Sequence, residues 1–245
     1  MSKFAVISDI HANLEALTAV FEVIDRESVD DTICLGDVVG YGADPAACLR
    51  LIRERNIVCI QGNHDRQMAG EIDERTRDYA VEALMWTREQ LSDDDKEFLA
   101  GLHQSLTLDG QFMFCHGAPR DPDEYIMHIS AMQANLEYLK AEYPDIDICF
   151  YGHTHMPSFI GGDIAMLDLQ ETGTFPLNIL RTYLVNPGGV GQPRDKCPKA
   201  SFLIFDRDDW HVTFHRVEYD VQAARRKIIE AELPRKLAER ILVGL

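Results

Sequence analysis

Five short polar blocks concentrate the reactive side chains of this 245-residue sequence: Asp9-Ile10-His11, Gly36-Asp37, Gly62-Asn63-His64-Asp65, His116-Gly117 and Gly152-His153-Thr154-His155. Carboxylate, amide and neutral imidazole are all ligands for first-row divalent metals, and no thiolate is among them. Taken singly, each block also has a plain reading: a chance Asp-x-His, a turn, or two same-face residues of one strand. Their joint occurrence, each just after an apolar run, points to a metal site assembled from distant parts of the chain.

The apolar runs are expected to be strands at 4–7, 32–35, 57–60, 111–115 and 146–151. Helical periodicity fills the gaps between them, the pattern of βαβ units and a mainly parallel sheet. Asn13 is expected to cap a helix that buries Leu14, Leu17, Val20, Phe21 and Ile24, spaced by threes and fours. Asp44-Pro45 starts a second helix over 46–55, with Pro at a first-turn position. Residues 72–102 are expected to be helical with a break at Ser92, whose hydroxyl caps a helix opening on Asp93, Asp94 and Asp95. A further helix is expected near 130–142, an antiparallel hairpin over 201–205 and 211–217, and an amphipathic segment over 221–243 split by Pro234. In an open α/β sheet the loops at the carboxyl ends of the strands line the ligand crevice, so all five blocks would converge there. Residues 161–182 show no clear period and are read as a flap or a subunit contact, which leaves room for a homo-oligomer.

Composition bounds the function. The chain is 46% hydrophobic, and 24 Lys+Arg against 41 Asp+Glu give a formal charge of −17. Disordered, collagen-like and disulfide-scaffold classes are excluded. A surface this acidic repels duplex nucleic acid and gains nothing from anionic lipid, so an anionic substrate needs a local reversal of charge, which bound cations supply. The six cysteines have no Cys-x-x-Cys spacing and sit mostly in apolar runs, which reads as buried reduced thiols in a cytoplasmic protein. Neither a signal h-region nor an apolar run of about 20 residues, the length of a membrane span, is seen.

The five blocks, in this order, resemble the calcineurin-like metallophosphoesterase superfamily. The likeness extends to Asn186-Pro187-Gly188-Gly189-Val190-Gly191-Gln192-Pro193-Arg194, similar to a C-terminal block of its small bacterial and archaeal phosphodiesterase branch. The resemblance implies an α/β fold in the form of a four-layer αββα sandwich. No composition break marks a boundary, so a single domain over 1–245 is expected, with a metal-site core over 1–195 followed by the hairpin and helical segment of 196–245. The resemblance also implies two divalent metals at the strand ends, with Mn²⁺ favoured over Fe²⁺ or Zn²⁺. Carried over block by block, Asp9, His11 and His155 hold one metal, Asn63, His116 and His153 the other, and Asp37 bridges both, a place where both oxygens of a carboxylate can coordinate. Two such cations lower the pKa of a shared water, and the bridging hydroxide attacks phosphorus in line. His64 then has no metal and is free to protonate or hydrogen-bond the leaving oxygen, while Asp65 either orients His64 or caps the following helix.

The Ser/Thr protein phosphatase branch continues Gly-Asp with Val-Asp-Arg-Gly, whereas this chain reads Gly36-Asp37-Val38-Val39-Gly40-Tyr41-Gly42. Without that Asp-Arg pair, small phosphodiesters or nucleotide-type esters are favoured over phosphoproteins. Arg66, Arg120 and Arg194 become the candidates for gripping phosphate. Tyr41 is an ordinary loop aromatic or a stacking surface for a leaving group. The alternatives are a phosphomonoesterase, a dinucleoside polyphosphate hydrolase, and a non-catalytic metal-binding scaffold of the same fold.

Overall fold

The computed structural model describes residues 2–73, 76–162, 164–167 and 169–245. Parts of the 72–102 and 161–182 segments, at 74, 75, 163 and 168, therefore lie outside the described residues.

Two six-stranded mixed sheets lie face to face. The first has the order β3-β2-β1-β11-β12-β9, built from β1 (Lys3–Ile7), β2 (Asp31–Cys34), β3 (Val58–Cys59), β9 (Gly173–Pro176), β11 (Ala200–Asp206) and β12 (His211–Val217). The second has the order β4-β5-β6-β10-β7-β8, built from β4 (Ser105–Leu108), β5 (Phe112–Cys115), β6 (Ile148–Tyr151), β7 (Ser158–Gly161), β8 (Ile164–Met166) and β10 (Tyr183–Asn186). β1, β2 and β3 run parallel, as do β5, β6 and β10. Each trio therefore delivers its carboxyl ends to one edge.

Side-chain alternation explains why the strands read as unbroken apolar runs. In β1, Phe4 and Val6 face the second sheet, while Ala5 and Ile7 face the helices outside. β5 divides likewise, Phe112 and Phe114 inward, Met113 and Cys115 outward. A strand buried on both faces has no polar side to show. Between the sheets Phe4 meets Phe112, Phe114, Phe150 and Phe205 edge-on, with ring centroids 5.4–6.0 Å apart.

Helices α1 (Leu14–Ile24), α2 (Pro45–Glu54), α4 (Asp78–Gln90) and α5 (Asp93–Ala100) contribute to the core outside the first sheet, and α6 (Ile129–Glu142) covers the second. The result is helix, sheet, sheet, helix: the four expected layers. Asn13 caps α1 through the Ala16 N–H, and Ser92 and Asp95 form a reciprocal capping box on α5, so the acidic run Asp93-Asp94-Asp95 serves a helix terminus. α7 (Val221–Glu230) and α8 (Arg235–Arg240) are separated at Pro234, as expected. No helix among the described residues is long and apolar enough to cross a membrane.

One expectation needs correction. The described residues of 72–77 are not helical, and α4 begins only at Asp78, after a short α3 (Asn63–Ala69). The unpatterned 161–182 segment holds β8 and β9, each at an edge of a different sheet. The Lys227 ammonium pairs with Glu15 at 2.6 Å and Asp44 at 2.8 Å, fastening α7 to α1 and to the start of α2.

Candidate metal centre

Beyond their last pleated residues β1, β2 and β6 leave the extended conformation within a few positions. Asp9 (φ 54°), His11 (47°) and Ala12 (52°) after β1, Asp37 (53°) and Tyr41 (63°) after β2, and His153 (65°) and His155 (60°) after β6 are all left-handed. Such a backbone costs a residue with a Cβ about 1–2 kcal/mol. Hydrogen bonds offset part of that cost, since the first two loops stay zipped together: Asp9 N–H donates to Gly36 O, His11 to Asp37 O and Ala12 to Val38 O, at 2.9–3.0 Å. Asp65 completes the lacing. Its carboxylate accepts the N–H groups of Asp37 (2.7 Å), Val38 (3.0 Å) and Gly62 (3.0 Å), which caps α3 and ties the second loop to the third. Of its two expected tasks, Asp65 therefore performs the cap; its carboxylate reaches loop backbone.

Glycine is required where loops two and three meet. A Cβ on Gly62 would lie 2.1 Å from Asp37 Oδ1, and one on Gly40 2.3 Å from His64 Nδ1.

All seven expected ligands and His64 come together, and all but the half-buried Asn63 are at most 4% exposed. His155 Nε2 lies 3.3 Å from Asp9 Oδ1 and 3.2 Å from His11 Nε2. His116 Nε2 lies 3.1 Å from His153 Nδ1 and 3.2 Å from Asn63 Oδ1. Between the two groups stands Asp37: its Oδ2 is 3.6 Å from His11 Nε2 and 3.4 Å from His116 Nε2, while its Oδ1 accepts the His64 backbone N–H at 2.8 Å. The oxygen Oδ2 thus faces both sides, while Oδ1 also accepts a backbone hydrogen bond.

The outer ring nitrogens identify what the inner ones are for. Nδ1 of His11 faces Val39 O at 3.2 Å, Nδ1 of His116 faces Leu35 O at 2.8 Å, and Nδ1 of His155 faces Gln192 O. A carbonyl only accepts, so in each ring Nδ1 carries a hydrogen, and the neutral ring turns an Nε2 lone pair inward, the tautomer of a metal-ligating histidine. Two such lone pairs, His11 and His155, face each other at 3.2 Å, which calls for a cation between them. Buried Asp9 Oδ1 and His153 Nε2 have no hydrogen-bond partner. The donor set therefore fits two divalent metals.

Electrostatics agrees. Burial pushes the pKa values of His11, His153 and His155 well below normal, which leaves neutral imidazoles, and it raises Asp9 to about 6. At His116 burial is outweighed by the Asp37 and Asp9 carboxylates, and the net effect is a rise to about 10. The field that holds a proton there would also hold a metal cation.

His64 lies beside this group with its ring against Tyr41 (4.4 Å) and His11 (4.8 Å), and burial brings its pKa down to about 4. Tyr41 is 8% exposed and packed on His11 at 4.5 Å, so it walls the site and is no stacking surface. The exposed ring is Tyr125, 3.7 Å from His153, a residue that sequence reasoning passed over because it belongs to no block. Asn186 was legible through its block: its buried amide donates to Gly152 O and Thr154 Oγ1, fixing the loop that bears His153 and His155.

The three candidate arginines separate. Arg66 is paired with Asp123 at 2.6 Å and Arg120 with Glu124 at 2.6 Å, so both already have carboxylates. Arg194 is brought to the centre: its charge acts on Asp9, His11, His64, His153 and His155, its guanidinium lies 6.0 Å from the Tyr41 ring, and its buried Nε is unpartnered. The residue that follows it, Asp195, is clamped by Arg216 in a pair with side chains 0% and 2% exposed.

Comparison with known proteins gives a consistent picture. The model of the calcineurin-like phosphoesterase superfamily domain matches residues 2–209. An uncharacterised protein of Methanocaldococcus jannaschii, MJ0912, is 39% identical over 99% of this chain and 98% of its own length. The crystal structure of a metallophosphoesterase from Sphaerobacter thermophilus superposes with a TM-score of 0.84 at 37% identity, over 100% of this chain and 99% of that one. The phosphodiesterase YfcE of Escherichia coli is 24% identical over 85% of this chain and 89% of its own.

Proposed function

Since the chain belongs to the calcineurin-like phosphoesterase superfamily and is a metal-dependent phosphoric ester hydrolase, we propose that it cleaves small phosphodiesters or nucleotide-type esters in the cytoplasm. The observation that carries this reading is the position of Asp37 Oδ2, shared between His11 and His116 at 3.6 and 3.4 Å. Asp9, His11 and His155 would hold one ion, Asn63, His116 and His153 the other, with Asp37 common to both. Mixed carboxylate, amide and imidazole ligation without thiolate suits Mn²⁺, Fe²⁺ or Zn²⁺, and of these Mn²⁺ is the ion proposed. Two divalent cations, when bound, supply an activated water near neutral pH and offset the negative charge of the phosphoryl group.

The remaining work falls to side chains. Arg194 offers guanidinium N–H groups to phosphoryl oxygens, with Gln192 Oε1 at 3.3 Å as its neighbour. His64, whose ring is wedged against Tyr41 and His11, donates a hydrogen bond to the leaving oxygen. The Asp-Arg pair of the protein phosphatases is absent from 38–42, which supports small substrates. The YfcE relative is a phosphodiesterase by name, which supports the diester preference. The scaffold alternative is disfavoured because a protein that only binds partners has no use for seven converging ligand groups and His64 beside them.

The test is hydrolysis of bis(p-nitrophenyl) phosphate and p-nitrophenyl phosphate by metal-stripped protein with Mn²⁺ restored. Metal-dependent turnover with the diester preferred is the expected result. A preference for the monoester would move the assignment to a phosphomonoesterase.

A further inference from the structure

A second group of cations lies next to Arg194 and serves none of the steps above. Arg77, at the N-cap of α4, and Arg240, in the last turn of α8, both donate to the Tyr79 hydroxyl, at 3.4 and 3.1 Å. Lys236 Nζ stands 4.6 Å from the centre of the same ring. The cluster of Tyr41, Ala80, Ile228, Leu237 and Ile241, with Tyr79 packed against it, holds these elements together and joins them to the loop that walls the metal centre. Among the described residues no Asp or Glu side chain pairs with Arg77, Lys236 or Arg240; Arg240 Nε donates to the Leu245 main-chain oxygen and Nη1 to Tyr79.

In a chain with 41 acidic and 24 basic residues, three cations gathered without an Asp or Glu partner among the described residues run against composition. Burial lowers the Arg240 pKa and the Arg194 charge lowers it further, so the two guanidiniums repel each other. An anion placed among them would relieve that repulsion and accept three kinds of donor: two guanidiniums, an ammonium, and the Tyr79 hydroxyl, whose oxygen already accepts twice and whose proton has no acceptor among the described residues. Lys236 and Arg240 lie beyond the 2–209 matched by the family model, while Arg77 and Tyr79 lie within it, so the cluster joins the start of α4 to the C-terminal helices.

We propose that Arg77, Lys236, Tyr79 and Arg240 form a second anion subsite beside Arg194, which holds a non-reacting phosphate, so that the natural substrate is a small molecule with several phosphates, such as a nucleoside polyphosphate. This deepens the phosphoesterase reading and rests on it.

The test is a ladder of AMP, ADP and ATP, with Mn²⁺ in excess over nucleotide. It is read on the metal-loaded full chain as competition with bis(p-nitrophenyl) phosphate and, separately, as calorimetric binding. At least one added phosphate should tighten binding about tenfold, as a charge-assisted contact does. Arg77→Gln/Arg240→Gln should flatten the ladder, Arg77→Gln alone, at an exposed position, should lower it in part, and Arg50→Gln, an exposed charge on α2, should leave it intact. A flat ladder in the unmodified protein, a ladder that survives the double substitution, or an equal fall with Arg50→Gln would overturn the subsite. Absence of diester hydrolysis would sink the phosphodiesterase reading instead, since calorimetry reads the ladder without turnover.

Discussion

At the scale of single residues, the division of labour between His64 and the imidazoles beside it makes the sharpest prediction. His64 is the histidine of the centre whose removal leaves every proposed ligand in place, so His64→Ala, which removes the hydrogen bond to the leaving oxygen, should lower kcat by about 10²–10⁴-fold while two metals per chain remain bound. Metal analysis beside steady-state kinetics checks this, and loss of metal together with activity would make His64 a ligand. Gly62→Ala should fail differently: a Cβ 2.1 Å from Asp37 Oδ1 displaces the shared carboxylate, so metal content should fall along with turnover. The ligand types were legible because side chains announce themselves in sequence. What holds them was not: the acceptors for Nδ1 of His11, His116 and His155 are main-chain oxygens of Val39, Leu35 and Gln192, and a carbonyl has no letter of its own.

At the scale of elements, legibility followed burial. β1, β5 and β6, buried on both faces, stood out as apolar runs, and Asn13, Pro45 and Ser92 marked helix starts by their own chemistry. β4, β8 and β9 are edge strands, partly exposed along their length, and their residues carry little apolar pattern. Asp65 pointed to a helix after the third block, but the bounds of α3 were hidden because Asn63, His64 and Asp65 are at once its first turn and part of the site. Two substitutions probe the elements. Phe4→Ala removes the ring that touches four phenylalanines between the sheets and should cost about 3–5 kcal/mol of unfolding free energy, read by urea titration. Asp195→Ala strands the Arg216 guanidinium in a buried place and should cost about 3–5 kcal/mol. Because Asp195 adjoins Arg194, it should also raise KM for the diester; a variant with unaltered stability would show that the pair is solvated.

At the scale of the whole molecule, two half-sites on two sheets are joined by a centre that each completes for the other. β1, β2 and β3 bring Asp9, His11, Asp37 and Asn63, while β5 and β6 bring His116, His153 and His155. Cations bound between them would tie the sheets together and reduce the mutual repulsion of a chain whose formal charge is −17. Chelation of the metals should therefore lower the unfolding temperature, since a ligand at a thousand times its Kd stabilises by about 4 kcal/mol, and calorimetry with and without restored Mn²⁺ reads the difference.

The measurement closest to the central claim is a Mn²⁺ titration of the metal-stripped protein, with bis(p-nitrophenyl) phosphate hydrolysis followed beside bound metal, for the native chain and Asp37→Asn. The native chain should become active as the second equivalent binds, and Asp37→Asn should remain inactive. Full activity at one equivalent, full activity of Asp37→Asn, or no turnover with Mn²⁺, Fe²⁺ or Zn²⁺ despite two bound ions would contradict a dinuclear phosphoesterase centred on Asp37.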